Sequence, residues 1–149
     1  MQLYIDSLVV GIRHVPNLIN GVSNFLDLLK TKSVKMAIGS SSPKEVVDYA
    51  VSHFNLDKWI EVVITGKDAE NGKPSPDIYL KCAEILKVRP SECVVIEDSV
   101  NGIKSGKNAG MSVCSFAGTR HHNFDYSDAD FEIKSYETSE IERFLKWAF

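Results

Sequence analysis

The chain has 149 residues, 44% of them apolar and 25% charged, so it is long enough for one domain with a hydrophobic core. The net charge is −3, and the lysines and arginines are scattered rather than gathered into the basic stripe that nucleic acid binding requires. No apolar run reaches membrane-spanning length, and the first residues lack the features of a signal peptide. We therefore expect a cytoplasmic protein that binds neither nucleic acid nor membrane.

Apolar spacing divides the chain into helices and strands. Leu3, Tyr4, Leu8 and Ile12 recur at helical spacing, so residues 1–13 are predicted to form an amphipathic helix. Further helices are predicted at 22–31, 42–54, 75–86, 100–108 and 138–148, and strands at 34–38, 62–65, 93–96, 112–116 and 131–133. This alternation predicts an α/β fold with a parallel sheet, in which ligands bind beyond the carboxyl ends of the strands.

Two adjacent carboxylates follow the apolar strand that ends at Ile96. Glu97 and Asp98 are oxygen ligands of the kind that Mg²⁺ prefers. Alternatively, one of them caps the helix that follows. A cap accounts for one carboxylate but not for two adjacent like charges, so the pattern favours a metal role, above all for Asp98.

Two other polar segments lie near the same predicted edge of the sheet. Lys73, on a loop between Gly72 and Pro74, is positioned to neutralise a phosphate or a nucleophilic carboxylate, whereas the alternative is a solvated loop lysine. Ser40 and Ser41 lie between a strand and a helix start, where hydroxyls and backbone N–H groups hold anions. Taken alone, the serine segment is better explained as an ordinary polar turn.

Together, three segments resemble the haloacid dehalogenase superfamily, and within it the branch of β-phosphoglucomutase-like mutases and phosphatases. The segments are Ala37-Ile38-Gly39-Ser40-Ser41-Ser42, Gly72-Lys73-Pro74-Ser75-Pro76-Asp77-Ile78-Tyr79 and Val95-Ile96-Glu97-Asp98-Ser99-Val100-Asn101-Gly102-Ile103. The resemblance covers roughly residues 16 to 148, and the second and third segments at this distance are highly specific.

The resemblance implies a role for each site residue. Ser40, with Ser41 beside it, would bind the phosphoryl group, and Lys73 would stabilise the phosphate and the nucleophile. Glu97 and Asp98 would hold Mg²⁺ directly or through water. Residues 1–15 would be a remnant of the last helix of the family's cap, and residues 16–149 the three-layer, Rossmann-like core.

The family's first motif, an aspartate nucleophile with a second acidic residue two positions on, has no clear match. The only early aspartate is Asp6, and Leu8 stands two residues after it. We therefore expect a chain that lacks the first strand, the nucleophile and most of the cap, as the C-terminal part of such an enzyme would.

A missing first strand would leave two inner strands with unpaired backbone groups. The two strands would close up, or another chain or a second copy would fill the gap, or residues 1–10 would form a strand and bring Asp6 to the site as an imitation nucleophile. Helical periodicity disfavours the third outcome.

Two functions remain open from the sequence. One is a Mg²⁺-dependent phosphatase or phosphomutase that acts on a small phosphorylated metabolite, a sugar phosphate, through an aspartyl-phosphate, with little or no activity in this chain alone. The other is a non-catalytic relative that binds a ligand or partner.

Overall fold

The computed structural model describes residues 2–5, 17–119 and 124–149. Six strands form one parallel sheet in the order β3-β2-β1-β4-β5-β6. The strands are β1 (Gln2–Ile5), β2 (Met36–Ser40), β3 (Val62–Thr65), β4 (Cys93–Glu97), β5 (Ser112–Phe116) and β6 (Phe131–Ile133). The helices are α1 (Val22–Thr31), α2 (Lys44–His53), α3 (Asp77–Leu86), α4 (Val100–Asn108) and α5 (Thr138–Ala148).

Helices cover both faces of the sheet, so the fold has three layers. Alternate residues of the inner strands face opposite sides: Val94 and Ile96 of β4 pack with α1 and α5, whereas Val95 packs with α3 and α4. Burial on both faces explains why all five residues of β4 are buried and why the first four, Cys93 to Ile96, are apolar. The predicted α/β class with a parallel sheet is confirmed.

The N-terminal segment differs from the prediction. Gln2–Ile5 is a strand, and it lies between β2 and β4, with Leu3 opposite both Met36 and Val94. The predicted helix over residues 1–13, the cap-helix assignment of residues 1–15 and the expected loss of the sheet's first strand are therefore wrong for residues 2–5. Backbone pairing on two sides outweighs a helical apolar pattern, because an unfilled gap would leave buried N–H and C=O groups without partners. Residues 6–16, including Asp6, lie outside the described residues.

The position of β1 between β2 and β4 also affects the expectation that the chain associates with a second copy. β1 pairs with both of its neighbours, so the sheet needs no second copy or complementing segment at its centre. The structural reason to expect self-association is thereby removed. Among the described helices, none is long and apolar enough to cross a bilayer.

Candidate functional site

The strand order changes direction around β1, since β2 lies on one side of it and β4 on the other. Crevices at such switch points are where α/β sheets bind ligands. Ser40 ends β2 and Glu97 ends β4, so the sheet brings these two residues to the same edge on either side of β1.

Lys73 reaches this edge from the segment between β3 and α3. Its side chain is only 4% exposed, and its ammonium group donates to Glu97 Oε1 at 2.6 Å, to the Tyr79 hydroxyl at 2.9 Å and to the Gly39 carbonyl at 3.0 Å. The alternative of a solvated loop lysine is therefore wrong. A buried ammonium requires compensating partners of this kind.

Glu97 is fully buried and is held by neutral donors as well as by Lys73. Oε1 accepts from the Tyr79 hydroxyl at 2.9 Å, and Oε2 accepts from the backbone N–H and the hydroxyl of Ser99 at 2.9 and 3.0 Å. The cap of α4 is Ser99, whose hydroxyl accepts from the Gly102 N–H at 3.0 Å. The alternative in which Glu97 or Asp98 caps this helix is therefore wrong.

The loop that carries Lys73 is tied to the two helices behind it. Asp77, at the start of α3, accepts from the backbone and side-chain N–H groups of Asn71 and from the Ser75 hydroxyl. From α4, Ser105 donates to the Ser75 carbonyl at 2.6 Å and Asn108 to the Pro74 carbonyl at 3.0 Å. The hydroxyl of Ser75, and then the amide of Asn71, hold the pKa of Asp77 below its usual value.

A cleft of about 630 Å³ opens beside the ion pair. Its lining residues are Ser41, Lys73, Asp98, Ser99, Val100, Asn101, Thr119, Phe124 and Tyr126. Asp98 is partly exposed, and its Oδ2 accepts from the Thr119 hydroxyl at 2.7 Å. Asp98 is therefore the carboxylate of the pair that faces the cleft, whereas Glu97 faces the lysine.

The two serines occupy different environments. Ser40 is 8% exposed and its hydroxyl accepts from the Ser42 N–H at 3.2 Å, whereas Ser41 is exposed and lines the cleft. Their roles in phosphate binding stay predictions, as do those of Lys73, Glu97 and Asp98.

The donor set agrees with a weakly held, hydrated cation. Among the described residues no group of three or more histidine, cysteine or acidic side chains is arranged to hold a metal. Mg²⁺ does not need such a cage, because it keeps several waters and takes one or two carboxylates together with substrate phosphate. Asp98 offers one such carboxylate.

Tyr79, Ser99 and Thr119 donate hydrogen bonds to the two carboxylates of the site, and none of them had a role assigned from the sequence. Tyr79 lies on the apolar face of α3, where its spacing indicates only packing. The hydroxyl of Tyr79 was the feature that could have indicated a role in the site, because the hydroxyl of a buried tyrosine usually makes a hydrogen bond. Thr119 carried no signal, since only folding brings it to Asp98.

The fold and site define a class of α/β protein with a buried lysine–carboxylate pair and an accessible carboxylate at a sheet switch point. The family model for haloacid dehalogenase-like hydrolases matches residues 5–116, which is most of the chain. The chain therefore belongs to the haloacid dehalogenase-like hydrolases.

Relatives and solved structures agree with this assignment. A phosphorylated carbohydrates phosphatase of Thermotoga maritima is 37% identical over 61% of this chain and 42% of its own length. A putative phosphatase of Bacillus subtilis is 33% identical over 81% of this chain and 55% of its own length. The crystal structure of a putative β-phosphoglucomutase from Thermotoga maritima superposes with a TM-score of 0.75 at 30% identity, over 89% of this chain and 61% of that one. The chain thus spans about half the length of these curated relatives.

Proposed function

We propose that the chain binds the phosphate group of a small phosphorylated metabolite, a sugar phosphate, and takes part in its hydrolysis or transfer with the help of Mg²⁺. The observation that carries this proposal is the buried pair of Lys73 and Glu97 beside a cleft that Asp98 and Ser41 line. The relative that acts on phosphorylated carbohydrates supports a sugar phosphate as the ligand. A cytoplasmic location stays a prediction.

Each site residue has a distinct task in this proposal. Ser41 and the N–H groups before α2 bind phosphate oxygens, helped by the partial positive charge of the helix N-terminus. Lys73 supplies a fixed positive charge next to the site of phosphoryl transfer. Glu97 holds Lys73 in place, and Ser40 shapes the turn through its bond to Ser42.

We assign Mg²⁺ binding to Asp98, which lines the cleft. Glu97 is buried next to it and contacts Lys73. When bound, the ion would offset negative charge on the phosphate oxygens. Thr119 donates to one oxygen of Asp98 and so fixes the orientation of the carboxylate, as partners of metal ligands commonly do.

Transfer through an aspartyl-phosphate also needs a carboxylate nucleophile. In the sequence Asp6 directly follows Ile5, the last residue of the central strand. The helical pattern that disfavoured Asp6 does not hold for residues 2–5. We therefore propose Asp6 as the candidate nucleophile.

The test measures release of inorganic phosphate from a broad panel of phosphorylated metabolites, with and without Mg²⁺, using residues 1–149. We expect weak Mg²⁺-dependent release, lowered at least about tenfold by Asp98→Asn and abolished by Asp6→Asn. Asp48→Asn is the matched control, because Asp48 is an exposed carboxylate that pairs with Lys44 on α2. Its activity should equal that of the wild type.

The second candidate function is non-catalytic binding, which the sequence Asp6-Ser7-Leu8 favours because it lacks the second acid of the nucleophile motif. No phosphate release from any compound, even after the missing part of the nucleophile motif is restored, together with calorimetric binding of a sugar phosphate, would favour this candidate. If the protein neither releases phosphate nor binds a sugar phosphate, both candidate functions are overturned.

A further inference from the structure

Tyr79 has a buried hydroxyl at the centre of the site. It lies in the first turn of α3, is 0% exposed, and packs in the core between the sheet and helices α3 and α4. A phenylalanine would bury the same ring, so packing alone does not account for the hydroxyl group. Burial of a hydroxyl is costly unless it is hydrogen-bonded.

The hydroxyl joins both members of the ion pair. It accepts from Lys73 Nζ at 2.9 Å and donates to Glu97 Oε1 at 2.9 Å, while Lys73 donates to the same Oε1 at 2.6 Å. The ammonium also lies 4.7 Å from the centre of the Tyr79 ring, within the range of a cation–π contact. Tyr79 therefore contacts Lys73 through two different parts of its side chain.

Two glycines make room for this arrangement. A Cβ on Gly39 would lie 3.1 Å from Tyr79 Cε1 and 2.8 Å from Ile78 Cγ2, so the absence of a side chain lets the ring approach β2. A Cβ on Gly102 would lie 1.8 Å from Glu97 Oε1, so the helix can pass over the carboxylate only at a glycine. The backbone thus fixes Tyr79 and Glu97 from opposite sides, and Lys73 is the long, flexible member that they hold.

We propose that Tyr79 is a positioning residue whose hydroxyl holds the Lys73 ammonium against Glu97 and so fixes the charge that faces the cleft. Its effect on phosphoryl transfer rests on the function proposed above, whereas its effect on Lys73 does not. Lys73 has four rotatable bonds and also donates to Glu97 Oε1 and to the Gly39 carbonyl. The Tyr79 hydroxyl contacts both the ammonium and the Glu97 oxygen that accepts from it, and so fixes the two charged groups relative to each other.

Amine acetylation tests the positioning directly. Residues 1–149 of the wild type and of Tyr79→Phe are treated with acetic anhydride, and modification of Lys73 is followed by mass spectrometry relative to Lys35 in the same sample. Lys35 is a suitable reference because it is part-buried and donates to the Leu86 carbonyl, away from the cleft. Tyr136→Phe is the matched control, since Tyr136 is 2% exposed and packs on the opposite face of the sheet.

We expect the Lys73-to-Lys35 ratio to rise about tenfold in Tyr79→Phe, because a hydrogen bond to a charged group is lost, and to stay unchanged in Tyr136→Phe. A ratio in Tyr79→Phe within twofold of the wild type would overturn the proposal, because the ring, Glu97 and the Gly39 carbonyl would then hold Lys73 without the hydroxyl. Melting temperatures of both variants show whether a rise reflects general unfolding, in which case Lys35 would be modified faster as well.

Activity provides the second readout. If the wild type releases phosphate, we expect Tyr79→Phe to lower kcat about tenfold with little change in KM, because the bound phosphate is retained but its charge partner is displaced. An unchanged kcat would overturn the catalytic part of the proposal. If the wild type releases none, the proposed function fails, while the acetylation ratio still decides whether Tyr79 positions Lys73.

Discussion

At the scale of single residues, the site depends on close contact between Glu97 and Gly102. Glu97 has no exposed surface and is held on both oxygens, so its carboxylate cannot move aside. A side chain at position 102 therefore competes directly with the ion pair for the same space.

We expect Gly102→Ala to lower the free energy of unfolding by about 1–3 kcal/mol, the usual cost of overpacking. This is so even though alanine favours a helix over glycine by about 1 kcal/mol. Urea denaturation measures the change. Gly72→Ala is the control: a Cβ there meets nothing within 4 Å, so we expect a change below about 0.5 kcal/mol. A Gly102→Ala chain as stable as the wild type would contradict the geometry.

Asp77 predicts a pH dependence. Its pKa in the folded chain lies below the ordinary value of 3.8, because Ser75 and Asn71 donate to it. The charged form therefore contributes stability that is present above the unfolded pKa and is lost as the pH falls through the folded pKa. Asp77→Asn keeps an oxygen acceptor without the charge, so its stability deficit relative to the wild type should shrink below about pH 4. Urea midpoints between pH 7 and pH 2.5 measure this, and a deficit that does not depend on pH would contradict it.

The chemistry of individual residues was partly predictable from sequence. The sequence predicted that Lys73 and Asp98 lie near one edge of the sheet, and both line the same cleft, while their roles stay predictions. The sequence did not predict that Glu97 contacts Lys73 while Asp98 lines the cleft. Adjacent residues on an extended chain point in opposite directions, and the sequence does not say which of the two contacts the lysine.

At the scale of elements, the later helices and strands followed from apolar spacing. The five predicted strands after residue 30 correspond to β2–β6, and the helix predicted at 42–54 is Lys44–His53. The helix begins two residues later than predicted, with Pro43 at the position before it and no side chain as its cap.

Strand β1 was mispredicted for a different physical reason. Leu3-Tyr4-Ile5 is a continuous apolar run, and such a run has no alternation that distinguishes a strand from part of a helix. The helical appearance came from combining this run with Leu8 and Ile12, which lie outside the described residues. Pairing partners, which decide the outcome, lie far away in the sequence.

Hydrogen exchange distinguishes a central strand from a surface helix. The amides of residues 3–5 should exchange as slowly as those of Val94–Ile96 in β4, because both strands lie inside the sheet. The internal control is Lys44–Glu45, at the exposed start of α2, which should exchange quickly. Rapid exchange at residues 3–5, with slow exchange in β4, would show that β1 does not pair.

At the scale of the whole molecule, the charges of the site predict that metal and phosphate bind together. Glu97 offsets the charge of Lys73, and Asp98 adds a negative charge to the cleft. Among the described residues, the net charge of these three side chains is therefore negative, which disfavours binding of a phosphate dianion without a metal ion. Any cation that binds at Asp98 removes this obstacle.

Calorimetry should show a Kd for Mg²⁺ alone of roughly millimolar or weaker, because Mg²⁺ loses water reluctantly and finds few carboxylates here. Saturating inorganic phosphate should tighten Mg²⁺ binding at least about fivefold, and Mg²⁺ should tighten phosphate binding by the same factor. Asp98→Asn should abolish this coupling, whereas Asp48→Asn should retain it. Submicromolar binding of Mg²⁺ alone would contradict the prediction.

The central position of β1 also has a consequence for how the chain reaches its fold. Gln2 pairs with Cys93 and Ile5 with Ile96, so the middle of the sheet joins residues that are synthesised far apart in time. Such non-local pairing slows folding, because a long loop must close before its contacts are gained. Until Ile96 has left the ribosome, the apolar segment that forms β1 cannot pair with β4 and keeps an exposed backbone edge. During that interval we expect chaperones to have the greatest opportunity to protect this segment from association with other nascent chains.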